Sequence, residues 1–181
     1  MSNSDMNSKA MASVSREVRD QIADLQADYI AALDEQDMNG WLEAFDEQGS
    51  YYCRSKENED DDLEMGFMYD DCHARLRDRV KFVDQIWAGT FEEYQTRHFL
   101  QPTRCHALGN DLYATKTNFT VMYTDDCGIT KVLVSGRYVD EIVVNGVAKL
   151  RSRKAILDTS FTRSDRYSAR ILSSKQKLNP P

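Results

Sequence analysis

The chain is poor in the residues that cross-link small folds or carry most enzyme chemistry. Its 181 residues include three histidines, four cysteines and three prolines. None of Cys53, Cys72, Cys105 and Cys127 forms a Cys-x-x-Cys pair. A domain of this size without an export signal has little use for a disulfide framework, so four free thiols are expected. So few prolines fit one compact domain with loose ends. No apolar run approaches the roughly 20 residues of a bilayer span, which argues against a membrane anchor. The opening stretch MSNSDMNSKAMAS lacks the apolar segment of a secretion signal, and the expected location is cytoplasmic. A formal charge of −7 argues against wholesale nucleic-acid binding. The glycine-rich dinucleotide fingerprint, the Walker A loop, the His-Glu-x-x-His zinc motif and the Gly-x-Ser-x-Gly elbow are all absent, which leaves nucleotide-dependent and zinc-protease readings unsupported.

What is present is a core-forming composition, 41% hydrophobic and 10% aromatic. The back half reads as three long strands, Leu112 to Tyr123, Ile129 to Val144 and Val147 to Leu157. Alternation places Tyr113, Thr115, Thr117, Phe119, Val121 and Tyr123 on one face of the first. Val132, Val134, Gly136, Tyr138 and Asp140 share a face of the second, with Gly136 expected to let the strand bend. In the third, alternation sets Ala148, Leu150, Ser152, Lys154 and Ile156 against Val147, Lys149, Arg151, Arg153, Ala155 and Leu157. Asp125, Asp126 and Gly128 make a hairpin-like turn, and Asn145-Gly146 is the strongest hairpin signal in the chain. Gly109-Asn110 starts a further turn, ahead of which Thr103 to Ala107 reads as a strand.

The front half is helical. Val14, Val18, Ile22, Leu25, Tyr29 and Leu33 recur at steps of three and four and make one apolar stripe. Ser15 can cap this helix, which is expected to fade near Asp37. Trp41, Leu42 and Phe45 suggest a short second helix, and Ser50 to Arg54 a short strand. Tyr69 to Trp87 reads as a third helix with Leu76, Val80, Val83 and Trp87 buried. The order predicts an α+β fold over residues 14–160: a curled, mixed or antiparallel sheet backed by N-terminal helices. Residues 1–13 and the basic stretch 161–181 are expected as extensions.

Charge is divided along the chain. Glu57 to Asp71 holds eight acids and no base, a solvated loop or a surface for a basic partner. Lys149 to Lys177 holds nine bases and two acids, open to internal pairing or to contact between subunits. Arginine crowds the third helix. Arg75, Arg77, Asp78 and Arg79 can bridge within the chain or pair with carboxylates across an interface. Arg79 is expected to serve assembly more than folding. Arg97 and His98 point to opposite faces of an extended segment. Together with Arg151 and Arg153 these are the interface candidates.

Two constellations could do acid–base chemistry in a cavity. His73 has Asp70 or Asp78 as its possible partner, and Asp70, three residues away, can face it on a helix. His98 is the other candidate. The plainer roles are a surface or interface position for His73 and a satisfied buried contact for His98. The cysteines and histidines do not combine into a metal site. Cys72 and His73 diverge by roughly 100 degrees on a helix, and Cys105 and His106 face opposite sides of a strand.

Taken in order, several strings resemble the small, or β, subunit of bacterial aromatic-ring-hydroxylating dioxygenases over roughly residues 15 to 162. Tyr29, Leu33, Trp41 and Phe45 are followed by Tyr51-Tyr52, Met68-Tyr69 and Leu76-Arg77-Asp78-Arg79-Val80. Then come Arg97-His98, Asn118-Phe119, Gly136-Arg137-Tyr138 and the closing Arg153-Lys154-Ala155-Ile156-Leu157-Asp158-Thr159. The resemblance implies a cone-shaped NTF2-like fold and a non-catalytic, structural role. It implies a β trimer beneath a trimer of catalytic α subunits, an α3β3 hexamer. The Rieske [2Fe-2S] cluster, the mononuclear Fe(II) and the substrate pocket would lie on the α subunit. A reductase or ferredoxin would deliver NAD(P)H-derived electrons through that subunit for reaction with O2. No cofactor or metal is then expected on this chain, and neither Rieske ligand spacing nor a two-histidine-one-carboxylate set is found in it. The resemblance around the third helix implies aromatic acids such as anthranilate or salicylate as substrates. A free-standing isomerase or dehydratase using a His–Asp pair, and a non-enzymatic small-ligand-binding protein, are the other readings of the same layout.

Overall fold

Ser15 starts the first helix, α1 (Arg16–Asp34), by accepting a hydrogen bond from the Val18 N–H at 3.3 Å. The computed structural model describes residues 14–63, 65–87 and 94–158. Val14, Ile22, Leu25 and Tyr29 of the stripe are buried, as is Ala32 beside it, and Val18 and Leu33 pack at its margin. The helix ends when Gln36 turns to φ 59° and the Asp37 N–H reaches back to the Ala32 carbonyl at 2.8 Å. Asp37 then caps α2 (Met38–Glu43) by accepting from the Gly40 N–H at 2.9 Å.

The remaining elements are β1 (Phe45–Ser55), α3 (Lys56–Asp60), β2 (Met68–Asp70), α4 (His73–Phe82), β3 (Gln95–Leu100), β4 (Arg104–Gly109), β5 (Leu112–Thr124), β6 (Thr130–Asn145) and β7 (Val147–Leu157). A π-helical turn over Val83–Trp87 extends α4. One mixed sheet runs in the order β2-β1-β7-β6-β5-β3, with β4 also paired to β5. β1 lies parallel to β7, and every other pair is antiparallel. β4 takes the first half of β5 and β3 the second, so the two share one edge. The hairpin of β6 and β7 turns at Gly146, whose φ of 80° suits a glycine. α1 covers the inner face of the curled sheet. Tyr29 meets Phe45 and Tyr138 edge-on at 6.2 and 6.0 Å, and Trp41 meets Phe45 and Tyr51 at 5.0 and 5.8 Å. Such pairs add about 0.5–1.5 kcal/mol each beyond their burial.

The α+β class, the curled mixed sheet and the three long strands agree with the sequence, and Val147–Leu157 matches end to end. Other expectations are corrected. Phe45 opens β1 rather than closing a helix, and β1 is longer than the strand read at residues 50–54. The third helix begins at His73, because Met68–Asp70 pairs with β1. The acidic stretch is not all loop. Its first part forms α3, capped by Ser55, and Glu59 reaches Arg54 at 3.1 Å and Lys154 at 3.5 Å. Gly136 admits a neighbour: a Cβ there would lie 2.3 Å from the Ile156 carbonyl oxygen. The register irregularities in the pairings of β6 lie elsewhere, at Val121/Met122 and Glu141/Ile142. The segments 1–13 and 161–181 lie outside the described residues.

The second irregularity reorients β7. Glu141 pairs with Ser152 and Ile142 with Leu150, leaving Arg151 as an extra residue. Ala148 and Leu150 face inward before it, and Arg153, Ala155 and Leu157 face inward after it. Simple alternation, which grouped Arg153 with Lys149 and Arg151, breaks at this point.

Candidate functional site

Between α1, α4 and the inner face of the sheet lies a cavity of about 1270 Å³. Tyr29, Trp41, Tyr51, Tyr94, Phe119 and Tyr138 supply its aromatic lining, with Leu33, Met38, Val121 and Leu157 among them. Phe119 stacks on Tyr138 with ring centres 4.2 Å apart. A smaller cleft of about 470 Å³, between α1, α2 and the Gly146 turn, is lined by Asp24, Asp28, Glu35, Asp37 and Glu43.

Behind the aromatic wall is a buried polar cluster. Arg153 donates from Nε to Asp140 Oδ1 at 3.0 Å and from Nη2 to Asp140 Oδ2 at 2.8 Å. Nη2 also reaches Gln26 Oε1 at 2.5 Å, while Gln26 Nε2 donates to Asp140 Oδ2 at 3.0 Å. Thr115 Oγ1 adds a bond to the same carboxylate at 3.3 Å. The guanidinium is held between the rings of Tyr29 and Tyr138, 3.9 and 4.2 Å from their centres. Burial pulls the Arg153 pKa down, but the Asp140 charge and its hydrogen bonds outweigh that and hold it above the ordinary arginine range. Arg153 Nη1 has no hydrogen-bond acceptor among the described residues. Burial raises the phenols of Tyr51 and Tyr138 well above their ordinary range. Both rings therefore stay neutral.

His98 is placed at the cavity wall by β3. Its Nδ1 lies 2.6 Å from Asp34 Oδ1, and its backbone N–H donates to Asp34 Oδ2 at 2.9 Å. Thr96 Oγ1 also donates to Asp34, at 2.9 Å. Burial raises the Asp34 pKa, but the hydrogen bonds from the His98 backbone, its ring and Thr96, with the charge of His98, bring it below the ordinary carboxylate value. The last turn of α1 and the edge strand β3 thus share one carboxylate.

The structure sorts the sequence-derived candidates. His73 and Asp70 do not form a pair. Asp70 is in β2, outside the helix, and its carboxylate takes a bidentate bond from Arg79 Nε and Nη2. Arg79, with Asp70 only 8% exposed at its side chain, belongs to the interior on that side. Asp78 pairs with Lys81 at 3.6 Å and Arg75 with Asp71 at 3.3 Å. Arg77 is exposed and has no ion pair among the described residues. Arg97 is exposed and donates to the Thr96 carbonyl at 2.7 Å. Arg151, half-buried, bonds Asp46 at 2.5 Å and Gln48 at 2.7 Å. Arg153 is removed from the interface set, because a fully buried side chain cannot meet a partner. Sequence reasoning missed Asp34 as the partner of His98, since 64 residues separate them and no motif links them. It placed Asp140 on the apolar face with Tyr138, which was the available sign of the buried cluster.

Among the described residues, the side chains do not suit a Rieske cluster or a mononuclear iron. Among the described residues, the His, Cys, Asp and Glu groups that come together are Asp125, Asp126 and Cys127. They sit on the β5–β6 turn and include no histidine, and Asp125 Oδ1 is used to accept from the Ile129 N–H at 2.8 Å.

The comparisons with known proteins agree with this geometry. The sequence model of the family described as "Ring hydroxylating beta subunit" matches residues 30–164. The small subunit of anthranilate 1,2-dioxygenase from Burkholderia cepacia is 32% identical over 75% of this chain and 84% of its own. A β subunit of the terminal oxygenase component of terephthalate 1,2-dioxygenase from Comamonas sp. is 27% identical over 78% and 92%. Among solved structures, the β subunit assigned to an aromatic-ring-hydroxylating dioxygenase of Novosphingobium aromaticivorans aligns with a TM-score of 0.74. It is 26% identical, over 82% of this chain and 94% of that one. The helix-backed curled sheet, the order of its strands and these matches together establish that the chain belongs to the ring-hydroxylating β-subunit family.

Proposed function

We propose that this chain is the assembly-building small component of an oxygenase that hydroxylates an aromatic acid. The observation that carries the reading is the family match over residues 30–164, which spans the whole sheet and all of α2, α3 and α4. Two relatives named for anthranilate and terephthalate, both aromatic carboxylates, support the substrate class. In this reading a separate large subunit holds the Rieske cluster and the mononuclear iron. It receives NAD(P)H-derived electrons through a reductase or ferredoxin in the cytoplasm, and the two chains assemble as α3β3 around a β trimer. The exposed arginines of α4, Arg75 and Arg77, and Arg97 of β3 are surfaces suited to carboxylates of a partner. Arg151, already bonded to Asp46, is a secondary contact.

The test is purification of the chain from its native source under mild conditions. The expected result is a complex with a larger chain in equal amount and the visible absorption of a Rieske cluster. Isolation of this chain alone, with no iron–sulfur partner, overturns the reading.

A further inference from the structure

Assembly does not require a hollow interior with a polar station in its wall, yet the chain has both. The cavity of about 1270 Å³ is lined by six Tyr, Trp and Phe rings, of which Tyr94 is half-buried, and His98 stands on its wall with Nδ1 turned to Asp34. Asp34 already accepts from the His98 backbone and from Thr96, so it acts as the acceptor toward the ring and keeps the proton on Nδ1. In the neutral imidazole the other nitrogen, Nε2, is then an acceptor. An acceptor beside aromatic walls suits a ligand that brings a ring and one hydroxyl. Charge narrows the class further. Asp34, Glu35, Asp84, Asp125 and Asp126 line the cavity against Arg79 and Arg97, and Arg79 is already held by Asp70. An aromatic carboxylate would meet net negative charge there.

From this geometry we infer that the cavity is a binding site for a small, neutral, hydroxylated aromatic molecule of the phenol class. Its ring packs against Leu33, Tyr94 and Leu133, the half-buried apolar side chains of the lining, and its hydroxyl donates to His98 Nε2. The site is separate from the proposed assembly role and does not depend on it.

The experiment uses the full-length chain labelled with carbon-13 in histidine and read by NMR. The sequence has three histidines, each assignable by a single substitution. His73 and His106 lie outside the cavity lining and serve as internal controls. Phenol is expected to shift the His98 ring signal saturably and leave the other two in place. Anisole has the same ring without the donor, and it should bind roughly tenfold more weakly, as should benzoate. In His98→Leu, phenol and anisole should bind alike. A second variant, Leu33→Trp, fills the cavity while keeping both His98 and Asp34 and should weaken phenol by more than tenfold. The inference is overturned by the absence of a saturable His98 shift, by equal shifts at all three histidines, by anisole or benzoate matching phenol, or by Leu33→Trp binding phenol normally.

Discussion

Arg153 Nη2 and Asp140 Oδ2 lie 2.8 Å apart with neither side chain exposed to solvent. Removing one partner strands the other charge in a low-dielectric interior, which costs about 3–5 kcal/mol. Arg153→Ala is expected to lower the unfolding free energy from urea titration by that amount or to prevent folding. A double variant, Arg153→Met with Asp140→Leu, leaves no buried charge and should be less destabilised than the sum of the two single changes. Equal additivity in denaturant titrations would show that the pair contributes no coupling.

Gly136 sets a second constraint on the same strands. An added methyl would lie 2.3 Å from the Ile156 carbonyl oxygen and 3.0 Å from Phe119 Cζ. The nearer atom is backbone and cannot swing away. Gly136→Ala is expected to cost about 1–3 kcal/mol. Thermal melting should show the loss, and Phe119→Leu should not restore it, because relieving the ring leaves the carbonyl contact in place.

Much of this architecture could be read from residue order, because long alternating strands and a stripe at helical spacing are local signals. The three closing strands and α1 were legible for that reason. Arg153 was not, because one extra residue at Arg151 reverses the inward parity of β7, and no composition rule marks a bulge. The His98–Asp34 pair was illegible for a different reason. It joins the end of α1 to an edge strand, and only the curl of the sheet brings them together.

Arg79 and Arg77 are two residues apart in sequence and have opposite consequences. Arg79 makes a bidentate bond to the buried Asp70, while Arg77 is exposed with no ion pair among the described residues. Arg79→Ala is expected to destabilise the fold by about 1–3 kcal/mol, since it leaves a buried carboxylate unsatisfied. Arg77→Ala should stay within about 0.5 kcal/mol of the parent in stability. If Arg77 serves a partner, its loss should appear in co-purification rather than in the melting curve.

The cysteines should separate by burial. Burial pushes the Cys53 thiol up to about 12, whereas Cys72 and Cys127 are exposed. Alkylation with iodoacetamide at about pH 8 requires thiolate and access. Cys72 and Cys127 are expected to label first. Cys53 should label only when urea opens the domain, and mass spectrometry of tryptic peptides distinguishes the two cases.

The hydrogen bonds at Asp34 make a pH-dependent contribution whose sign is fixed. Its folded pKa is below the ordinary value, because the bonds from His98 and Thr96 favour the charged form more than burial opposes it. Such a carboxylate stabilises the fold at pH values above its unfolded pKa of about 3.9. That contribution is lost as the pH falls through the lower, folded value. Asp34→Asn removes the titration. The parent should therefore exceed the variant in urea midpoint at neutral pH, and the gap should narrow below about pH 4. A gap that stays constant down to about pH 2 would mean that the difference comes from amide geometry and not from the carboxylate charge.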